Sequence, residues 1–208
     1  MKLYLAPLEG ITNHIYRKAL YECFGGFDKY FIPFIRAKQN LNFSGREKKD
    51  IDPENNQGMY AVPQILTRNA EDFLHTASQL AGLGYQEINL NLGCPSKTVV
   101  TKGCGAGFLE RPDELERFLD YIFANTDLKI SIKTRLGMDD AEEFKDLLEI
   151  YNRFPLEELI VHPRVQKDFY KNIPNLEAFE HAVQIRFATM GIFFRQKILQ
   201  KCRNVFRL

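Results

Sequence analysis

The sequence predicts an α/β fold, a TIM (β/α)8-type barrel that is incomplete, with about six βα units present. Three observations predict it. Short runs of β-branched and aromatic residues alternate with amphipathic stretches of helical length, which is the pattern of βα units. Each run is nearly continuous in apolar residues, as strands buried on both faces of a parallel sheet are. A whole barrel takes ~250 residues, and this chain has 208.

The elements follow in order. Leu3 to Leu5 forms a first strand, and Asn13 to Cys23 a first helix with Thr12 as its candidate N-cap. Gly25-Gly26 supplies the left-handed conformations that end this helix before a second strand over Tyr30 to Ile35. A third strand, Ala61 to Leu66, leads into a helix over Ala70 to Leu83, capped by Asn69 and stopped around Gly82 and Gly84. Glu87 to Leu92 is a fourth strand, followed by a Gly-rich loop and a helix over Pro112 to Asn125 that starts on a first-turn proline. Lys129 to Thr134 precedes a helix over Ala141 to Arg153, with Asp139 or Asp140 as its cap. Glu158 to His162 precedes a helix from about Asn175 to Val183. A doubly wound open sheet is the alternative, and its mark is G-x-G-x-x-G in the first βα turn. That turn reads Ala6-Pro7-Leu8-Glu9-Gly10, and the later Gly103-Cys104-Gly105-Ala106-Gly107 has the wrong spacing.

With 45% hydrophobic and 12% aromatic residues the chain is too apolar for disorder, and one domain is the default. Its net charge of +1 gives no reason to expect strong non-specific nucleic-acid binding. Residues 184–208 differ in composition, holding Arg186, Arg195, Lys197, Lys201, Arg203 and Arg207 and no acid, so residues 1–183 are net acidic. The N-terminal apolar run is too short for a signal-peptide core and is followed by Glu9. No apolar run approaches the ~18 residues of a membrane span. Cys23, Cys94, Cys104 and Cys202 show neither a C-x-x-C pair nor a framework spacing, and no metal-ligand pair or HExxH is present. These features predict a cytoplasmic protein with no membrane and no metal.

In parallel barrels the chemistry sits at the C-terminal strand ends. Here the first strand runs into Pro7-Leu8-Glu9, the third carries Gln64, the fourth ends Asn89-Leu90-Asn91-Leu92-Gly93-Cys94-Pro95, the fifth Lys133-Thr134-Arg135 and the sixth His162-Pro163-Arg164. Taken singly, a cysteine is usually a small buried hydrophobe and a strand-end histidine a satisfied hydrogen-bonding residue. Lys133 is different. It stands in the apolar run Ile130-Ser131-Ile132-Lys133, and a buried ammonium without a partner costs several kcal/mol. It must therefore meet a carboxylate or a bound ligand. Cys23 and Cys104 have weaker claims to chemistry.

Leu5-Ala-Pro-Leu-Glu-Gly-Ile-Thr12, Gln64-Ile65, Ile88-Asn-Leu-Asn-Leu-Gly-Cys-Pro95 with Gly103-x-Gly-Ala106, Ile132-Lys-Thr-Arg-Leu-Gly137 and Val161-His-Pro-Arg164 together resemble the tRNA-dihydrouridine synthase family. The resemblance runs in order from about residue 3 to 183, and implies a partial FMN-binding TIM-barrel catalytic domain over 1–183. Such enzymes reduce uridine to 5,6-dihydrouridine in tRNA, with NADPH reducing the flavin. By resemblance, Pro7, Leu8 and Glu9 lie along the flavin edge, Gln64 and Lys133 bond its polar rim, and His162 reaches toward the flavin or its ribityl chain. Cys94 matches the proton donor, and Asn91 and Arg135 match positions near flavin and uracil. The chemistry agrees: hydride addition at C6 of uracil requires a proton at C5, and a thiol is protonated at neutral pH yet acidic enough to give it.

The family pattern also has an Asn-Gly-Asp on a seventh strand, a Gly-Arg pair after an eighth and a helical tRNA-binding domain, none of which is found here. Codons exist for Gln184 to Ile198 that, read two bases later, spell Asn-Pro-Leu-Cys-Tyr-Asn-Gly-Asp-Ile-Phe-Ser-Ala-Lys-Asp. The expectation is that 184–208 is an atypical basic tail translated out of frame, that the helical domain is absent, and that the chain alone folds poorly and lacks activity. The alternatives are a flavin barrel acting on a free pyrimidine, in the manner of dihydroorotate oxidation, and a non-catalytic remnant.

Overall fold

The computed structural model describes residues 2–37, 42–175 and 177–178. Within them, six parallel strands lie in the order β1-β2-β3-β4-β5-β6, each hydrogen-bonded to its neighbour in sequence. This is the strand order of a TIM-type barrel, built over six consecutive βα units. The elements are β1 (Tyr4–Leu5), α1 (His14–Phe24), β2 (Lys29–Arg36), α2 (Gly45–Ile51), β3 (Ala61–Leu66), α3 (Ala70–Gly82), β4 (Glu87–Leu92), α4 (Lys97–Val100), α5 (Pro112–Ala124), β5 (Lys129–Arg135), α6 (Glu143–Tyr151) and β6 (Glu158–His162). Strands β3, β4 and β6 begin and end where the sequence places them. The final helix expected to Val183, the boundary at 184 and the proposed change of frame lie outside the described residues.

Two starts differ from expectation. Asn13, not Thr12, caps α1, its Oδ1 accepting the Tyr16 N–H at 3.0 Å. The Thr12 hydroxyl instead closes the loop after β1, accepting from the Leu8 N–H at 2.8 Å. Helix α6 begins at Glu143, and neither Asp139 nor Asp140 caps it. The Glu143 carboxylate gathers the N–H groups of Met138, Asp139 and Asp140 at 2.9, 2.9 and 2.7 Å, so the helix's own first residue organises the loop before it. Helix α2 was not foreseen. It is nearly all charged, and its start is a capping box, Ser44 bonding the Glu47 N–H and Glu47 the Ser44 N–H.

The large core lies between the outer face of the sheet and the helices, with Phe73 and Leu80 of α3, Leu115, Phe118, Leu119 and Ile122 of α5, and Phe144, Leu147 and Tyr151 of α6 packed on Ile65, Ile88, Leu90, Ile130, Ile132, Leu159 and Val161. A smaller cluster of Tyr4, Phe31, Val62 and Ile160 fills the inner face. Below it, at the N-terminal strand ends, Lys29 of β2 bonds Glu87 of β4 at 2.8 Å and Glu158 of β6 at 3.0 Å, and the Tyr4 hydroxyl of β1 donates to Glu158 at 2.6 Å. Alternate strands are thus tied across the barrel floor by charge. Arg17, fully buried in α1, gives Nη1 to Thr12 O at 2.7 Å and Nη2 to Asp50 O at 2.6 Å, and bonds Asn56 through Nε at 3.2 Å, fixing α1 to the segment after α2.

Candidate active site

Strands deliver side chains to a face every second residue, so the inward positions of β3, β4 and β5 stack polar groups above the small inner core. At the C-terminal ends they surround a cleft of about 330 Å³. Pro7, Leu8, Glu9, Gln64, Asn91, Cys94, Lys133 and His162 all line it, so these sequence-predicted residues meet in one place although they come from five different βα units. Ile11, Phe34, Phe169 and Tyr170 line it as well and were not singled out. Phe34 sits beside Pro33 at the register shift of β2, and this irregularity brings it to the rim.

Cys94 follows β4 in a turn that Asn91 builds. Asn91 Oδ1 accepts the N–H groups of Gly93 at 3.1 Å and Cys94 at 3.0 Å, an Asx-type turn. From behind, the Ala106 N–H donates to the Cys94 carbonyl at 3.1 Å. Gly105 stands at φ +58°, and a Cβ there would lie 2.9 Å from Cys94 O and 3.0 Å from Cys94 Cβ. The glycines after Cys94 therefore serve close backbone approach. The Cys94 backbone is held on both sides while its thiol lines the cleft.

Lys133 has no hydrogen-bond or ion-pair partner among the described residues. Burial and then the neighbouring Arg135 charge push its pKa down to about 8, with Cys94 opposing. Of the two partners the sequence allowed, a carboxylate is therefore not the one found. His162 is kept neutral: burial first, then the charges of Lys133, Arg135 and Arg164, push its pKa down to about 3. Arg164 Nη1 donates to His162 Nε2 at 2.9 Å, which places the remaining ring proton on Nδ1.

Arg135 is set apart from the others. It is fully buried and does not line the cleft. Its guanidinium donates to the carbonyls of Gly93 at 2.8 Å, Val165 at 3.0 Å and Phe169 at 2.9 Å, and its Cζ lies 5.4 Å from the Tyr170 ring centre. In this arrangement it ties the loop after β4 to the loop after β6. Phe169 is held at φ +50°, a conformation a non-glycine residue adopts only under constraint.

No group of three or more metal-ligating side chains occurs among the described residues, and none of their helices is long and apolar enough to cross a membrane. The sequence profile of the dihydrouridine synthase family matches residues 4–195. A probable tRNA-dihydrouridine synthase of Staphylococcus aureus (strain COL) is 31% identical over 185 residues, 88% of this chain and 55% of the relative. The corresponding protein of Staphylococcus epidermidis (strain ATCC 12228) is 29% identical over 185 residues, 88% of this chain and 56% of the relative. A tRNA-dihydrouridine(16) synthase of Cupriavidus necator is 31% identical over 178 residues, 82% of this chain and 55% of the relative. The chain thus spans about half the length of the curated relatives it matches. A half-length match that nonetheless runs through every strand and every cleft loop described above has one meaning: the chain belongs to the dihydrouridine synthase family.

Proposed function

We propose that this chain forms the catalytic part of an FMN-dependent enzyme that reduces uridine to 5,6-dihydrouridine in tRNA, with NADPH as the source of electrons. The observation that carries the reading is Lys133, a cation in a cleft with no partner of its own among the described residues. Its chemistry calls for an electron-rich ligand. The rest of the donor set fits a flavin: an apolar wall of Pro7, Leu8, Ile11 and Phe34 suits a flat ring, and Gln64 and Lys133 suit the polar edge of that ring. Bound FMN would supply the hydride for C6 of the uracil.

The chain's own groups do the rest. Lys133 stabilises negative charge in the cleft. Cys94 gives its Sγ proton to C5 of the uracil and recovers one from solvent. His162, neutral and carrying its proton on Nδ1, orients a ligand by donating a hydrogen bond instead of exchanging protons near neutral pH. Asn91 and Arg135 act by holding the Cys94 turn and the two cleft loops. Exposed Arg36, Arg68, Lys97 and Lys102 at the cleft end of the barrel suit the phosphates of an RNA from which the target base is turned out into the cleft.

The test is to incubate the purified full-length protein with FMN, NADPH and unmodified tRNA, and to digest the tRNA for mass analysis. A uridine-derived nucleoside heavier by two hydrogens is expected. Flavin binding with turnover of a free pyrimidine but not of tRNA would assign the second enzymatic reading, and no flavin binding would assign the non-catalytic one.

A further inference from the structure

Asn89 stands fully buried in the middle of β4, and nothing above gives it a task. Its amide belongs to a chain of four polar side chains crossing three adjacent strands. Asn89 Nδ2 donates to Ser131 Oγ at 2.9 Å. Gln64 Nε2 donates to Asn89 Oδ1 at 2.7 Å. Asn91 Nδ2 donates to Gln64 Oε1 at 2.7 Å. Asn91 Oδ1 accepts from the Gly93 and Cys94 N–H groups.

The polarity of this chain is set at one end. A backbone N–H only donates, so Asn91 must turn its oxygen to Gly93 and Cys94 and its nitrogen to Gln64. Gln64 must then offer Oε1 to Asn91, which leaves Nε2 for Asn89, and Asn89 must accept with Oδ1. Every amide is fixed by its neighbour. Gln64 and Cys94 both line the cleft, and both ends of their geometry pass through this chain.

We propose that Asn89 is a positioning residue of the active site: it holds the Gln64 amide in one orientation and, through Asn91, the turn that presents Cys94. What Gln64 and Cys94 then do rests on the flavin reading, whereas the geometry itself needs no ligand.

Three variants of the full-length protein test this: Asn89→Leu, Asn89→Asp and Ser131→Ala. An aspartate there still accepts from Gln64 through one carboxyl oxygen and still bonds the Ser131 hydroxyl through the other, whether neutral or ionised. Leucine is of similar size and accepts nothing. The first measurement is hydrogen exchange of the Gly93 and Cys94 amides in flavin-free protein. Asn89→Leu should speed it at least about tenfold, Asn89→Asp should stay within about twofold of the wild type, and Ser131→Ala should fall between. Unchanged exchange in the leucine variant overturns the proposal. Equal acceleration in the leucine and aspartate variants also overturns it, because that is what a merely space-filling residue would show. The second measurement is turnover of tRNA by the loaded enzyme, where kcat should fall about tenfold in the leucine variant and recover in the aspartate variant, with KM for tRNA unchanged. A change in KM alone counts against positioning. If the wild type does not turn over tRNA, the functional reading fails, and the exchange measurement still decides the role of Asn89.

Discussion

Two lysines point into this barrel, and they live under opposite conditions. Lys29, on the floor, bonds both oxygens of Glu87 at 2.9 and 2.8 Å and Glu158 at 3.0 Å. Burial pulls its pKa down, but the hydrogen bonds and charge of Glu87 and then Glu158 more than reverse this, and it ends above the ordinary 10.5. Lys133, half-buried in the cleft, has no such partner among the described residues, and falls to about 8. A buried lysine on a floor is completed by the protein itself. The lysine in the cleft meets no carboxylate among the described residues, and the contrast separates a group that holds the fold from one that the proposed function assigns to a ligand.

The comparison can be tested from its strongest consequence down. Cys94→Ala, at the cleft end, should slow uridine reduction by roughly 10²–10⁴-fold in single-turnover assays of pre-reduced full-length enzyme, while flavin binding and unfolding midpoint stay as they were. An unchanged rate would remove Cys94 from proton donation. Lys29→Met, at the floor, strands two buried carboxylates and should cost about 3–5 kcal/mol in urea unfolding. The same substitution in the cleft, Lys133→Met, should stabilise the flavin-free protein by on the order of 1 kcal/mol while weakening FMN binding about tenfold in a fluorescence titration. Stability changes of one sign at both lysines would collapse the distinction.

A pH series sharpens it further. Lys133 has a lowered pKa, so its penalty is fully present below about pH 8 and is relieved as pH rises toward the ordinary 10.5. The Tm advantage of Lys133→Met should therefore shrink over that window. Lys29 has a raised pKa, so its contribution is whole below 10.5 and is lost only as pH climbs through its higher folded value. A Lys133→Met advantage that grows with pH would contradict the assignment. Smallest of all, Cys104→Ala should change turnover by less than about twofold, since burial raises the pKa of this thiol and its Sγ hydrogen-bonds the Lys102 carbonyl outside the cleft lining.

How much of this was legible depends on what each residue had to disclose. Strands β3, β4 and β6 declare their bounds because each carries a short run whose outward positions are apolar, Ile65 in β3, Ile88, Leu90 and Leu92 in β4, and Leu159 and Val161 in β6, between segments of turn and helix character. Helix α2 hid because six of its seven residues are polar or glycine, and its signal was the Ser44 and Glu47 pair, not periodicity. Lys133 was legible from cost alone. Arg135 was not: it shares the strand parity of Lys133, but as the last residue of β5 it turns to loop carbonyls that only the folded chain brings near. The floor carries its own signal in the sequence. Lys29, Glu87 and Glu158 are each the first residue of an otherwise largely apolar strand, β2, β4 and β6 in turn, and three such charges at one level of a barrel imply one another.

The clamp around Cys94 has a stereochemical consequence. With its N–H held by Asn91, its carbonyl by Ala106 and its rear closed by Gly105, the residue has its side-chain rotamers as its only freedom. If the proposed function holds, a thiol so mounted meets the bound base from one direction. Reduction run in deuterium oxide should then place the solvent-derived label on a single prochiral face at C5 of the product, and the configuration of that labelled carbon would trace back to a glycine eleven residues beyond the thiol.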